Sequence, residues 1–136
     1  MKNEILKTSF ILCLILGFFF QSCKKDEGIA LPSELYGSWS KTSSHYVETY
    51  TFTATTVKYY GYSQLYSEYK GGWDGEVAEI WLSDKMFRMT DNMYFAWHIE
   101  GSTLYLYKTN PGATKPILSG DWWISNWSYI LYKTTK

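Results

Sequence analysis

The strongest constraint on this chain is a two-residue alternation of its side chains. In Asn92–Glu100, Met93, Phe95, Trp97 and Ile99 fall on one side of an extended backbone, and Tyr94, Ala96, His98 and Glu100 on the other. His45–Thr53 repeats the pattern, with Tyr46, Tyr50 and Phe52 opposite Val47, Thr49, Thr51 and Thr53. Successive side chains of a strand point to opposite faces, so this alternation specifies half-buried strands. From Tyr36 onward the residues are rich in Tyr, Trp, Thr, Val and Ile, punctuated by turn formers about every eight to twelve residues. No stretch carries the 3.6-residue period of a long amphipathic helix.

Extended runs are expected at Tyr36–Thr42, His45–Thr53, Thr56–Tyr62, Leu65–Lys70, Glu76–Ser83, Met86–Thr90, Asn92–Glu100, Thr103–Lys108 and Trp127–Lys133. Asp84-Lys85 and Gly101-Ser102 read as tight turns, and Gly71-Gly72-Trp73-Asp74-Gly75 as the loop closing the third run. A polar loop through Asn110-Pro111-Gly112 and Gly120-Asp121 leads to the last strand. About eight short strands joined in sequence by short links fit a small antiparallel up-and-down β-barrel, which removes exposed sheet edges. A sandwich needs longer crossing connections.

Composition narrows the function classes. The 136 residues include 7 Trp, 13 Tyr and 7 Phe, and Lys and Arg number 13 against 13 Asp and Glu. Balanced charge argues against nucleic acid as the main partner, because neutralising phosphates needs a basic surplus. The aromatic load excludes disorder. Two cysteines cannot make the disulfide framework of a small secreted domain.

The N-terminus has its own logic. Lys2 and Lys7 precede an uncharged run, Thr8–Phe20, of about signal-peptide length and too short for a comfortable bilayer span. Phe20-Gln21-Ser22-Cys23 then resembles the lipobox of bacterial lipoproteins, with Phe20 and Gln21 in place of the usual Leu and small residue. That resemblance implies cleavage between Ser22 and Cys23 and acylation of the Cys23 thiol. An uncleaved helix or a secretory signal cut nearby fits the same residues. Lys24-Lys25-Asp26-Glu27 resembles the export signal of surface lipoproteins of the Bacteroidota type, and equally reads as a solvated tether. The expected organisation is a signal peptide over 1–22, a lipidated tether over 23–33 and a barrel over 34–136. The expected location is the cell envelope, anchored to the outer membrane on its periplasmic face or at the cell surface. Cleavage removes Cys13 with the signal and leaves the mature chain no free thiol.

Leu35-Tyr36-Gly37-Ser38-Trp39 looks like the Gly-x-Trp element that opens the first strand of lipocalins. Tyr94-x-Ala96-x-His98-x-Glu100-Gly101-x-x-Leu104-x-Leu106 and Trp127-x-Tyr129-x-Leu131-x-Lys133 resemble the small lipocalin-like domains of bacterial lipoproteins. The resemblance implies that Gly37 and Trp39 plug the closed end of the barrel. The C-terminal helix and later-strand motifs of typical lipocalins are not visible in this sequence.

Few residues ask for chemistry. His45 and His98 are the only histidines, and neither a Gly-x-Ser-x-Gly elbow nor a His-Glu-x-x-His pair is present. His98 with Glu100 reads as a polar strand face. No cofactor, metal site or enzymatic activity is expected. Aromatic side chains are the better candidates for ligand contact. Tyr50, Phe52, Phe95 and Trp97 face the expected interior, where they either line a pocket or fill it. Trp73, flanked by glycines, is expected at a barrel mouth. Trp122 and Trp123 would point to opposite faces of an extended segment, exposing at least one indole; packing around a bend is the alternative.

The sequence therefore supports a membrane-anchored binding module for a small apolar or amphipathic molecule or a glycan. Its alternative is an accessory envelope lipoprotein that docks a partner protein through exposed aromatics.

Overall fold

The computed structural model describes residues 29–66 and 70–135. The expected signal peptide, Ser22, Cys23 and the expected tether up to residue 28 lie outside the described residues, as do residues 67–69 of the expected Leu65–Lys70 run.

Eight antiparallel strands close into a barrel in sequence order. They are β1 (Gly37–Thr42), β2 (Tyr46–Phe52), β3 (Thr56–Ser63), β4 (Lys70–Trp81), β5 (Met86–Met89), β6 (Tyr94–Glu100), β7 (Thr103–Lys108) and β8 (Tyr129–Lys133). The all-β, up-and-down architecture expected from the alternation is the one found. Closure comes from β1 pairing with β8, Trp39 opposite Lys133 and Ser40 opposite Tyr132. One end of the barrel carries the N-terminal chain and the β2–β3, β4–β5 and β6–β7 turns. The other carries the β1–β2, β3–β4 and β5–β6 turns and both ends of the long β7–β8 connection.

The N-terminal end is plugged. A single 3₁₀ turn, Ser33–Leu35, precedes β1, and Gly37 takes a positive φ of 104° where the chain bends into the strand. The Trp39 indole N–H donates to the Leu35 carbonyl at 2.8 Å, and the Lys133 ammonium lies 4.4 Å from the Trp39 ring centre. Trp97 donates its indole N–H to Glu34 Oε1 at 2.9 Å, tying β6 to the same turn. Packing begins before the expected boundary at residue 34: Leu31 is buried and its N–H donates to the Ala54 carbonyl at 2.6 Å.

Three expectations about elements need correction. Leu65 and Tyr66, expected to open an extended run, are not in a strand, and Lys70 opens β4. Gly71–Gly75 is not a loop but part of the 12-residue β4. Trp127 precedes β8, which starts at Tyr129, and is 40% exposed.

The interior is filled with rings. Tyr50 is surrounded by Phe52, Tyr59, Trp73, Phe95 and Tyr129, all with centroids within 6.4 Å. Phe87 and Phe95 stack at 4.9 Å and 9°. Such contacts add about 0.5–1.5 kcal/mol each to the burial of apolar area. The outer face of β1 and β2 is polar and paired across the strands, with Ser38 to Thr51 and Ser40 to Thr49 both at 2.8 Å.

Candidate functional site

The interior aromatics expected to contact ligand form core. Tyr50, Phe52, Phe95 and Trp97 are buried in one cluster with Trp39, Phe87 and the leucines of β7 and β8, and Trp73 packs against it. Trp73 therefore does not project from a mouth: it stacks on Tyr59 at 5.9 Å and 27°. Within the run that resembles a turn, Gly72 lies against the β3 backbone, where a Cβ would stand 2.6 Å from the Tyr59 carbonyl oxygen. A Cβ on Gly61 would lie 2.6 Å from the Tyr59 hydroxyl, and one on Gly75 would lie 2.7 Å from Met89 Cε. Among the described residues every buried side-chain nitrogen or oxygen has a hydrogen-bond partner. The core presents no orphaned polar group for a ligand to satisfy.

At the unplugged end the interior turns polar. Tyr59 donates its hydroxyl to Glu48 Oε1 at 3.1 Å. Burial first, and then the Glu48 carboxylate, push the Tyr59 pKa up to about 12. Tyr50, buried deeper, is raised further by desolvation and then by Tyr129. Neutral phenols are the stable form here, so this cluster binds protons rather than activating a nucleophile.

A cavity of about 590 Å³ lies outside the barrel wall. Its floor is Met86 and the outer side of β6, and one wall is the β4–β5 turn, Ser83–Lys85. The other wall is the β7–β8 connection, through Lys115–Gly120 and the indoles of Trp122 and Trp123. Trp122 begins a 3₁₀ turn, Trp122–Ile124, and this corrects the extended reading of the Trp pair. Helical winding lets both rings pack toward the barrel. Trp122 is buried against Met86 and Ala96. Trp123, half-buried, stacks on the His98 imidazole at 3.8 Å and 10°. His98 Nε2 in turn meets Glu100 Oε1 at 3.1 Å, which holds the ring flat against the indole.

Charged groups flank these rings. Lys115 Nζ donates to Asp84 Oδ2 at 3.3 Å and sits 4.1 Å from the Trp81 ring centre. This contact ties the connection to the β4–β5 turn. Met86, Leu118 and the two indoles supply apolar surface, and Ser83, Lys85, Ser119 and His98 supply polar groups. A groove of this size and mixed lining is of the kind that holds small amphipathic molecules.

Of the seven residues expected to touch ligand, Trp97, Trp122 and Trp123 border this groove, although the Trp97 ring belongs to the core. Tyr50, Phe52, Trp73 and Phe95 do not. Sequence reasoning missed His98, Lys115 and Asp84 as site residues. The available signal was three tryptophans within six positions of a segment otherwise read as a polar loop. Among the described residues no three His, Cys, Asp or Glu side chains gather into a metal-binding group.

No family model matches the chain, and neither a curated protein nor a solved structure matches it.

Proposed function

We propose that this protein is an envelope lipoprotein, acylated at Cys23 and anchored to the outer membrane, whose lipocalin-like barrel is a non-catalytic binding module. Its ligand is a small amphipathic molecule or a glycan, held in the groove outside β5 and β6 rather than inside the barrel. The observation that carries this reading is the roughly 590 Å³ groove lined by Trp122 and Trp123, beside an interior already occupied by rings. Gly37 and Trp39 at a plugged end, in the first of eight strands that pair in sequence order, support the lipocalin-like assignment. Against catalysis stands the engagement of polar groups at the groove with one another, Lys115 with Asp84 and His98 with Glu100.

Native mass spectrometry of the full chain, extracted from membranes without delipidation, tests the reading. A bound small molecule is expected on the wild type and is lost in Trp123→Ala, whose half-buried ring can be removed without opening the core. An empty wild-type protein that also fails to gain thermal stability with lipid, sterol or glycan panels overturns it. Intact mass reports the anchor separately: acyl mass on Cys23, and release of Cys23→Ala to the soluble fraction. The partner-docking reading rests on Ile124 and Trp127, 70% and 40% exposed beside the groove. Loss of a co-purifying protein on Trp127→Ala, with no small molecule bound, would favour it.

A further inference from the structure

We infer that the plugged end of the barrel rests on the lipid bilayer, with Leu82 and Ile117 entering the headgroup region; this rests on the proposed anchor at Cys23. Leu82 is 64% exposed and Ile117 fully exposed. Leu82 stands at the β4–β5 turn, and Ile117 lies in the stretch of connection that forms the groove with that turn. The antiparallel meander places this turn at the end where the N-terminal chain arrives, since Leu31 bonds to Ala54 of the β2–β3 turn. Exposed apolar side chains alone do not choose an end, because Leu65 and Tyr66 are as exposed at the other.

The tether makes the choice. Only five residues, Lys24–Gly28, separate Cys23 from Ile29, and the six residue steps from Cys23 to Ile29 reach about 20 Å at most. A small domain is about 30 Å across. A barrel standing on its far end would hold Ile29 about 30 Å above the lipid, beyond the span of the tether, whereas standing on the plugged end keeps Ile29 within it. Lys85, exposed beside Leu82, suits the phosphates of lipid headgroups, whereas Lys115 is already paired with Asp84. Two aliphatic side chains at a held distance add a weak second attachment to the acyl anchor, and they set the orientation of the barrel rather than its affinity. The Ser83–Lys85 rim of the groove is then at the lipid surface.

The test uses the acylated full-length protein in vesicles of phosphatidylethanolamine and phosphatidylglycerol. Leu82→Cys, Ile117→Cys and, at the far end, Leu65→Cys each receive an environment-sensitive fluorophore. All three positions are exposed, so labelling leaves the core intact. Brominated lipid is expected to quench the label at 82 and 117 severalfold more than at 65, with a blue shift at those two sites alone. Equal, weak quenching at all three positions on protein carrying acyl mass at Cys23 overturns the inference and leaves the anchor standing. Absence of that mass overturns the anchor and the inference together. In native membranes, labels at 82 and 117 shielded from iodide yet unreached by brominated lipid would mean that a protein covers this end, and would also overturn it.

Discussion

Trp39 is held by chemistry at both ends of its ring. Its N–H satisfies the Leu35 carbonyl and its face takes the Lys133 ammonium, while 98% of the residue is removed from solvent. Trp39→Ala opens a cavity at the plug and orphans a carbonyl of the 3₁₀ turn. The expected cost is about 3–5 kcal/mol, read as a lowered denaturation midpoint with an unchanged denaturant slope; a loss under about 1 kcal/mol contradicts the plug. At this scale the sequence was readable wherever alternation was unbroken: Tyr50, Phe52, Phe95 and Trp97 lie where period two puts them. It was not readable at Trp73, because glycine serves two purposes. A glycine cluster makes a turn when backbone freedom is needed, and equally lets two strands approach closely, as Gly72 does against Tyr59 of β3. The His98–Trp123 stack was equally hidden, since its partners are 25 positions apart and no local pattern links them.

Among the elements, β4 depends most on its glycines. It pairs with β3 through Gly61 opposite Gly71 and Tyr60 opposite Gly72. It bends at a register shift between Val77 and Glu79, where it begins to pair with β5. A Cβ on Gly72 would stand 2.6 Å from the Tyr59 carbonyl oxygen, whereas one on Gly71 meets nothing within 4 Å. Gly72→Ala forces a backbone shift and is expected to cost about 1–3 kcal/mol. Gly71→Ala is expected to stay within about 0.5 kcal/mol of wild type. Thermal melts of the pair decide the matter, and equal midpoints contradict the close approach of β3 and β4 at this register. The β7–β8 connection is the element least legible beforehand. Its polar composition conceals that Trp122, Leu118 and Lys115 fasten it to the barrel wall. Loops longer than about a dozen residues without regular structure are commonly functional, and here the loop builds one wall of the groove.

For the molecule as a whole, closure of eight strands leaves no free sheet edge and divides the buried aromatics between a filled interior and a second cluster against the outer wall around Trp122. The fold class was legible because turn spacing and alternation agree along nearly the whole chain. The location of the site was not, because composition cannot tell a lined cavity from a filled one. The filled interior also has a pH signature. The folded pKa of Tyr59 lies near 12 against 10.0 for the free side chain, and Tyr50 is displaced in the same direction. Both favour the fold in their neutral form. The contribution of Tyr59 is complete below pH 10.0 and is lost as pH rises from there through about 12, while that of Tyr50 starts to fall at the same pH and outlasts it. Alkaline unfolding should fall in that window, with the last tyrosinate absorbance appearing together with loss of ellipticity. Titration of all tyrosines in one step near pH 10.0, with the fold intact, contradicts the buried cluster.

The claim that the ligand sits outside a filled barrel is tested most directly by the indole N–H resonances of the seven tryptophans. They are compared between protein carrying its co-purified ligand and the same protein after delipidation. Shifts confined to Trp122 and Trp123 are expected, with Trp39, Trp73 and Trp97 unmoved. Shifts at Trp73 and Trp97 with Trp122 and Trp123 unchanged would place the ligand in the interior and contradict it.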